Sequence, residues 1–309
     1  MTQLIGGTWT IGEWHWGRVE EKDVKEVCQY FLEKYRFIDS APVYGFGKAE
    51  KLIGEVLKHI DRKSVKIMTK FGLNTEGGEF FFETVYRGKS IRVYKKADKK
   101  AIKEECFKSL ERLNTDYIDI YLLHFKPSSP SIVEIGEGLE ELKETGVIKQ
   151  WGICNVNTGE IHKLVLKGLK PYCLQFKYNP LFKKAEKSVI PYCKKYKIKF
   201  FGYSPFENGL LTCKYSKNEF HKEDGRRFWK NQRFEIARVL KERLTPIANR
   251  YSISIPGLIL AYLKEKNIDG IIAGARNKKQ AEENFKGFSR VIAKEDIEEM
   301  NRVFSFLKS

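Results

Sequence analysis

Short apolar runs recur along the chain, and the stretches between them carry apolar residues at helical spacing. The runs fall at residues 5–8, 36–39, 65–69, 117–123, 147–153, 172–176, 199–203 and 270–273, each short enough for a buried strand. Residues 20–34 place Val24, Val27, Phe31 and Leu32 on one face, and residues 98–113 do the same with Ile102, Cys106, Leu110 and Leu113. Ile161, Leu164 and Val165 mark another such face. Strands that alternate with helices imply parallel pairing through right-handed crossovers. The pattern therefore predicts an α/β fold of class (β/α)8, a TIM barrel spanning residues 1–309 as a single domain.

A doubly wound open sheet is the rival, and it would carry a glycine-rich turn after its first strand. None is present. Gly45-Phe46-Gly47-Lys48-Ala49-Glu50 lacks the last glycine and follows the second strand, and Gly88-Lys89-Ser90 has Glu83 where a phosphate loop needs its first glycine. Two segments, 72–96 and 207–232, exceed simple connections. After barrel strands such segments belong to the C-terminal rim, where they shape a ligand site.

Composition narrows the classes. No apolar run is long enough to span a bilayer, and residues 1–20 show no signal-peptide pattern, so membrane insertion is not expected and a cytoplasmic location is. The six cysteines form no C-x-x-C pair, which argues against metal and disulfide frameworks and predicts reduced thiols and no metal site. The net charge of +17 is spread along the chain with small clusters such as Lys99-Lys100 and Arg226-Arg227. That distribution reads as solvated helix faces rather than as a nucleic-acid surface. Its residual pull would act on anionic substrates or cofactor phosphates.

Barrels keep reactive groups at strand C-terminal ends. Asp39, Lys70 and His124 end or follow the second, third and fourth strands, and Tyr44 lies five residues past Asp39. A phenol with an ordinary pKa of about 10 gives up its proton slowly near neutrality. A buried Lys70 ammonium would acidify Tyr44, Asp39 would keep Lys70 charged, and His124 would orient a carbonyl. The set lacks a nucleophile and needs an external hydride, which a nicotinamide supplies.

Residues 35–45, Tyr-Arg-Phe-Ile-Asp-Ser-Ala-Pro-Val-Tyr-Gly, followed by Glu-Lys-Leu-Ile-Gly-Glu at 50–55, resemble the signature segment of the aldo-keto reductases. Gly7-Thr8-Trp9, the lysine strand at 66–72, Asp116 to His124, Gly152 to Asn155, Gln175 to Pro180, Tyr203-Ser204-Pro205 with Gly209-Leu210-Leu211, and Gly274-Ala275-Arg276 continue it in order. The resemblance implies that Asp39, Tyr44, Lys70 and His124 form the catalytic tetrad. It implies a cofactor site in which Gly7, Thr8 and Trp9 lie at the first strand. Asn155 and Gln175 would hold the nicotinamide amide, with Tyr203 stacked on its ring. Ser204, Phe206 and the backbone of Gly209 and Leu210 would run beside the pyrophosphate. Gly274, Ala275, Arg276, Gln280, Glu283 and Asn284 would surround the adenosine end.

Departures from that pattern are Cys154 where a serine is usual, Ala273 for a frequent proline, and Gln280 for a frequent arginine. NADPH is the expected cofactor, with NADH possible, since Arg276 alone remains to meet a 2′-phosphate. The N-terminal β-hairpin plug of most relatives is expected to be shortened or absent. A small-molecule carbonyl is the expected partner of a monomer or weak homo-oligomer. The rival implication is a cofactor-binding regulator similar to potassium-channel β subunits. Trp9, Trp14, Trp16, Phe46 and Phe80 to Phe82 would line an aromatic mouth.

Overall fold

In the computed structural model, which describes residues 1–307, eight parallel strands close into a barrel. These are β1 (Gln3–Gly7), β2 (Phe37–Asp39), β3 (Lys66–Phe71), β7 (Ile118–Leu123), β8 (Ile148–Cys154), β9 (Cys173–Lys177), β10 (Lys199–Tyr203) and β11 (Gly270–Gly274). Neighbours in space are neighbours in this sequence, with β1 closing the ring between β11 and β2. The expected strands all form, with bounds shifted by a few residues at most. Among the described residues no helix is long and apolar enough to cross a membrane, and no three His, Cys, Asp or Glu residues gather as a metal site. The six cysteines are free and buried.

The period of two along each strand separates two cores. Ile5, Phe37, Met68, Ile120, Leu122, Cys154, Cys173, Phe201 and Ile272 fill the barrel interior. Ile38, Ile67, Tyr121, Ile153, Leu174, Phe200 and Ile271 point outward and pack under the helices. One pleat beyond the interior layer, the same inward face carries Asp39 above Phe37 and Lys70 above Met68. Gln175 stands above Cys173 and Tyr203 above Phe201. The chemistry-bearing residues are thus the top layer of the same alternation that builds the core.

Among the described residues the ten α-helices include α1 (Glu21–Tyr30), which continues through a π turn at Phe31–Tyr35, and α2 (Lys48–Leu57). α3 (Lys99–Leu113) is capped by Asp98, α4 (Ile132–Glu144) by a Ser131/Glu134 capping box, and α5 (Thr158–Leu166) by Asn157. α6 (Val189–Tyr196), α7 (Asn231–Arg250), α8 (Ile255–Lys264), α9 (Lys278–Phe288) and α10 (Lys294–Phe306) complete the ring. Segment 72–96 is not a loop. It folds into a three-stranded antiparallel sheet of β4 (Leu73–Asn74), β5 (Glu79–Tyr86) and β6 (Lys89–Lys95), in the order β4-β6-β5. Arg87 and Gly88 take φ of 51° and 79°, so a two-residue turn with both positions left-handed joins β5 to β6. A register irregularity between Phe80 and Phe82 brings both Phe81 and Phe82 to the barrel mouth.

The α9 N-terminus faces the cleft because α8 and α9 cross with glycine against glycine. A Cβ on Gly287 would lie 2.0 Å from the Gly257 Cα. Backbone so close cannot yield without separating the helices. Gly287→Ala is expected to destabilise the protein by about 1–3 kcal/mol or more and to weaken whatever the α9 N-terminus binds. Denaturant unfolding of the variant checks this, and an unchanged midpoint would contradict the close crossing.

Candidate active site

The sequence places a lysine two residues past Met68 on the inward face, and in the fold its side chain has no exposed surface. Lys70 Nζ donates to Asp39 Oδ1 at 2.7 Å and to the Ser40 carbonyl at 2.7 Å, and stands 3.4 Å from the Tyr44 hydroxyl. Burial alone would lower the pKa of this ammonium, and Asp39, then Tyr44, outweigh it and hold it above its ordinary value. Thr8 buttresses the same corner by donating from its hydroxyl to the Asp39 carbonyl. Tyr44 arrives from the turn between β2 and α2, whose backbone is pressed against Gly12.

The phenol departs from the sequence expectation. Burial raises the Tyr44 pKa, Lys70 opposes that shift, and Asp39 and Cys154 add to it, so the net direction is upward. In the closed pocket desolvation exceeds the pull of the ammonium, and Tyr44 holds its proton throughout the neutral range. His124, at the end of β7, sets its ring 5.9 Å from the Tyr44 ring and at 85° to it. Burial and then Lys70 push its pKa well below the ordinary value, so the imidazole is neutral and one ring nitrogen is a hydrogen-bond donor.

These groups open onto a cleft of about 400 Å³ that runs from Tyr44 to Asn284 across the C-terminal mouth. Asp39, Tyr44, His124, Gly7, Trp9, Asn155, Gln175, Tyr203, Ser204, Phe206, Gly209, Gly274, Ala275, Arg276, Gln280, Glu283 and Asn284 line it. Lys70 lies beneath this wall. The side chains of Thr8 and Leu210 are buried. Asn155, with φ of 59°, donates from Nδ2 to the His124 carbonyl at 3.2 Å and accepts from the Tyr203 hydroxyl at 2.8 Å. Gln175 is also engaged within the protein, with Nε2 donating to Asp39 Oδ1 at 2.9 Å.

At the far end Asn277 caps α9, Gln280 accepts from the Arg276 backbone N–H at 3.0 Å, and Asn284 donates to the Gly274 carbonyl at 3.3 Å. The N-terminus of α9 and the Arg276 guanidinium give this end a positive potential suited to phosphate. Gly7 pairs with Gly274, and a Cβ on either would meet a neighbouring side chain, Ile272 or Thr10, at 2.9 Å. The indole N–H groups of Trp9 and Trp16 are buried on the cleft wall without a partner, a donor surplus that a polar ligand would relieve. The arrangement fits an extended dinucleotide.

Sequence reasoning missed several cleft residues. Segment 207–232 contributes Asn208, Thr212, Lys214, Tyr215 and Arg226, and Val43, Leu73 and Phe125 complete the apolar end. Arg226 is held by Asp224 at 2.6 Å and lies over the Trp16 ring at 4.8 Å. Trp16 and Asp224 form an antiparallel bridge, so the loop after β1 meets the loop after β10 across the cleft. Trp14 and Trp16 line the cleft, whereas His15 packs on Trp9. The length of segment 207–232 placed it at the rim, and its aromatic and arginine residues at 215–229 were the further signal for which of its side chains reach the cleft.

The Lys70–Asp39 pair has a direct stability test. Asp39→Asn leaves a buried ammonium without its countercharge and is expected to cost about 3–5 kcal/mol, while adding Lys70→Met recovers much of the loss. Unfolding free energies of the two variants decide it; equal stability of Asp39→Asn and the unaltered protein would show that the pair is not a buried ion pair.

Comparison with known proteins agrees with this geometry. The sequence profile of the Aldo/keto reductase family matches residues 3–304. The chain is 34% identical over 292 residues to the NADH-specific methylglyoxal reductase of Escherichia coli (strain K12), covering 90% of this chain and 87% of that protein. It is 29% identical to the aldo-keto reductase YhdN of Bacillus subtilis (strain 168), covering 96% of this chain and 88% of that protein. Among solved structures, the glycerol dehydrogenase AKR11B4 from Gluconobacter oxydans superposes with a TM-score of 0.83 at 24% identity, over 98% of this chain and 91% of that chain. An aldo-keto reductase from Klebsiella pneumoniae in complex with NADPH gives a TM-score of 0.72 at 22% identity, over 97% and 90%. The closed barrel, the buried lysine–carboxylate pair beneath a tyrosine, and a profile match along nearly the whole chain lead to one assignment: this chain belongs to the aldo/keto reductase family.

Proposed function

We propose that the protein reduces an aldehyde or ketone to an alcohol with NADPH, Tyr44 giving the proton. A reduced nicotinamide bound in the cleft supplies the hydride. The observation that carries the reading is the convergence of the Tyr44 hydroxyl, the Lys70 ammonium and the neutral His124 imidazole at one end of a dinucleotide-sized cleft. His124 donates to the carbonyl oxygen and orients it. As charge develops on that oxygen, Tyr44 transfers its proton and Lys70 stabilises the phenolate left behind. Asp39 keeps Lys70 in the ammonium form. A phenol whose pKa is raised in the closed site is charged with its proton before each turnover, which suits the reductive direction.

Tyr203, Asn155, Ser204, Phe206 and Gly209 would hold the nicotinamide and pyrophosphate, with Arg276, Gln280, Glu283 and Asn284 at the adenosine end. Arg276 supports NADPH as the first choice, and NADH remains a second substrate of the same cleft. The E. coli relative is named as NADH-specific.

The wall around the proposed hydride position selects the carbonyl. Trp9, Trp14, Val43, Leu73, Phe81, Phe82 and Phe125 line it. Trp14 stacks on Phe82 with centroids 5.5 Å apart and planes 2° from parallel, and its indole donates to Thr84 Oγ1 at 3.0 Å. The nearby carboxylate of Glu13 is turned away, bound to Lys48 at 2.7 Å and Arg87 at 2.8 Å. Among the described residues no unpaired charge lines this end, so uncharged aromatic or apolar carbonyls fit better than anionic sugars.

Tyr44→Phe is expected to lower kcat by a factor on the order of 10² or more while calorimetry still detects NADPH binding; retained turnover would refute Tyr44 as the proton donor. On the same assay, kcat/KM for benzaldehyde should exceed that for a negatively charged sugar aldehyde such as glucuronate. Phe82→Ala should narrow that difference by roughly tenfold, the scale of one lost aromatic contact. The reverse order of substrates would contradict the apolar pocket.

A further inference from the structure

The resemblance assigns Gln175 to the nicotinamide amide, yet each end of its side-chain amide is already engaged inside the barrel. Gln175 is 3% exposed. Its Nε2 donates to Asp39 Oδ1 at 2.9 Å, the same oxygen that accepts from Lys70 at 2.7 Å, and lies 3.9 Å from Met68 Sδ. Its Oε1 accepts from the Cys154 thiol at 3.7 Å. An amide could sit either way round; the acceptor-only Asp39 carboxylate calls for the NH2 on its side, and Cys154 sets the other end. The thiol is fully buried, and burial raises its pKa, so it stays a neutral S–H donor. A donor on that side requires the amide oxygen there and turns the NH2 toward Asp39. Cys154 stands where relatives usually carry serine, so this chain keeps a donor at the position.

We propose that Gln175 is a positioning residue of the proton-delivery machinery, clamping the Asp39 carboxylate beneath Lys70, and that Cys154 fixes the orientation of its amide. The chain of contacts runs from Cys154 on β8 through Gln175 on β9 to Asp39 on β2, and then through Lys70 on β3 to Tyr44. Four strands that are distant in sequence are thereby tied at one layer. Asp39 is fully desolvated, which favours its protonated form, and two N–H donors on one oxygen counter that tendency. The other groups that face this carboxylate are the Tyr44 phenol and the Cys154 thiol, both held neutral by burial, with the neutral His124 beyond Tyr44. Lys70 and Gln175 are therefore the groups that oppose protonation of Asp39. Losing the Gln175 donor raises the Asp39 pKa, so the carboxyl gains a proton at higher pH and releases Lys70 sooner as the medium is acidified.

The inference rests on the proposed tetrad, and its test separates the two. Gln175→Met keeps the length and removes both hydrogen bonds. In this variant the acid limb of kcat for benzaldehyde reduction should move upward. The ratio of kcat at about pH 5.5 to that at about pH 8 should fall roughly tenfold below the unaltered value, the scale of one hydrogen bond to a charged group. Affinity for NADPH, read from fluorescence quenching in the same variant, separates an effect on Asp39 from an effect on the cofactor, because the shifted acid limb is expected whether or not Gln175 also touches the nicotinamide. Cys154→Ala should give a smaller shift in the same direction, and Cys154→Ser, which retains a donor, should restore the limb. If Gln175→Met fails to fold, the Cys154 pair carries the test. An acid limb that stays in place in these variants overturns the proposal, whatever happens to affinity; a tenfold loss of NADPH affinity with that unmoved limb makes Gln175 a cofactor contact instead. An active Tyr44→Phe variant would bring down the reductase reading itself, whereas an inactive one beside an unmoved limb would remove this inference alone.

Discussion

A lysine side chain with no exposed surface survives in this barrel because a carboxylate and a backbone carbonyl each accept from it at 2.7 Å. Desolvating an ammonium costs several kcal/mol, and the attraction of Asp39 offsets this only if distance and partners are held closely. That requirement reaches through the fold. Asp39 and Lys70 sit on adjacent strands one pleat above Phe37 and Met68, so the packing of the interior sets their separation. Thr8 from β1 and Gln175 from β9 fix Asp39 from either side of the ring. Tyr44 is held by the tight approach of its turn to Gly12. The stability of the barrel top and its chemistry are the same set of contacts.

Charge placement then divides labour along one cleft. The end proposed as catalytic keeps its ionised groups paired and its phenol and imidazole neutral, so Tyr44 holds the proton that the proposed reduction would use. The adenosine end presents a helix N-terminus and an arginine. Between them the loops after β1 and β10 meet at the Trp16–Asp224 bridge, and Arg226 packs against Trp16. The three-stranded sheet after β3 supplies Phe81 and Phe82 to the mouth, with Glu13 tied to Lys48 and Arg87 at its base. In the proposed reduction, specificity for the carbonyl would thus be built on an insertion, and the reaction on the barrel itself.

Alternation made most of the barrel legible. Each strand bounded by its apolar run forms, and Asp39, Lys70 and His124 could be located because polar residues at strand ends break an apolar pattern. The sheet at 72–96 was hidden because its outward face is exposed. Phe80 and Val85 point to solvent, so β5 lacks the apolar–polar alternation of a half-buried strand. The direction of the Tyr44 shift was beyond reach since it depends on how completely the pocket excludes water, which composition does not encode. The Gln175 contact to Asp39 spans 136 residues and links strands on different sides of the ring, and no local pattern announces it. Thr8 and Leu210 match the motifs and their side chains are buried, because a motif fixes the path of the backbone more tightly than the exposure of each side chain.

The central claim is that one cleft brings the dinucleotide beside the Lys70–Tyr44 pair. Trp9, Trp14 and Trp16 all line that cleft, which makes energy transfer from tryptophan to reduced nicotinamide the most direct probe. Titrating NADPH should quench tryptophan emission with a saturable curve and raise nicotinamide emission in step, and replacing Trp9 and Trp16 by phenylalanine should reduce the transfer, with Trp14 left as a donor. Saturable NADPH binding with no transfer, or transfer undiminished in that double variant, would place the cofactor elsewhere and contradict the account.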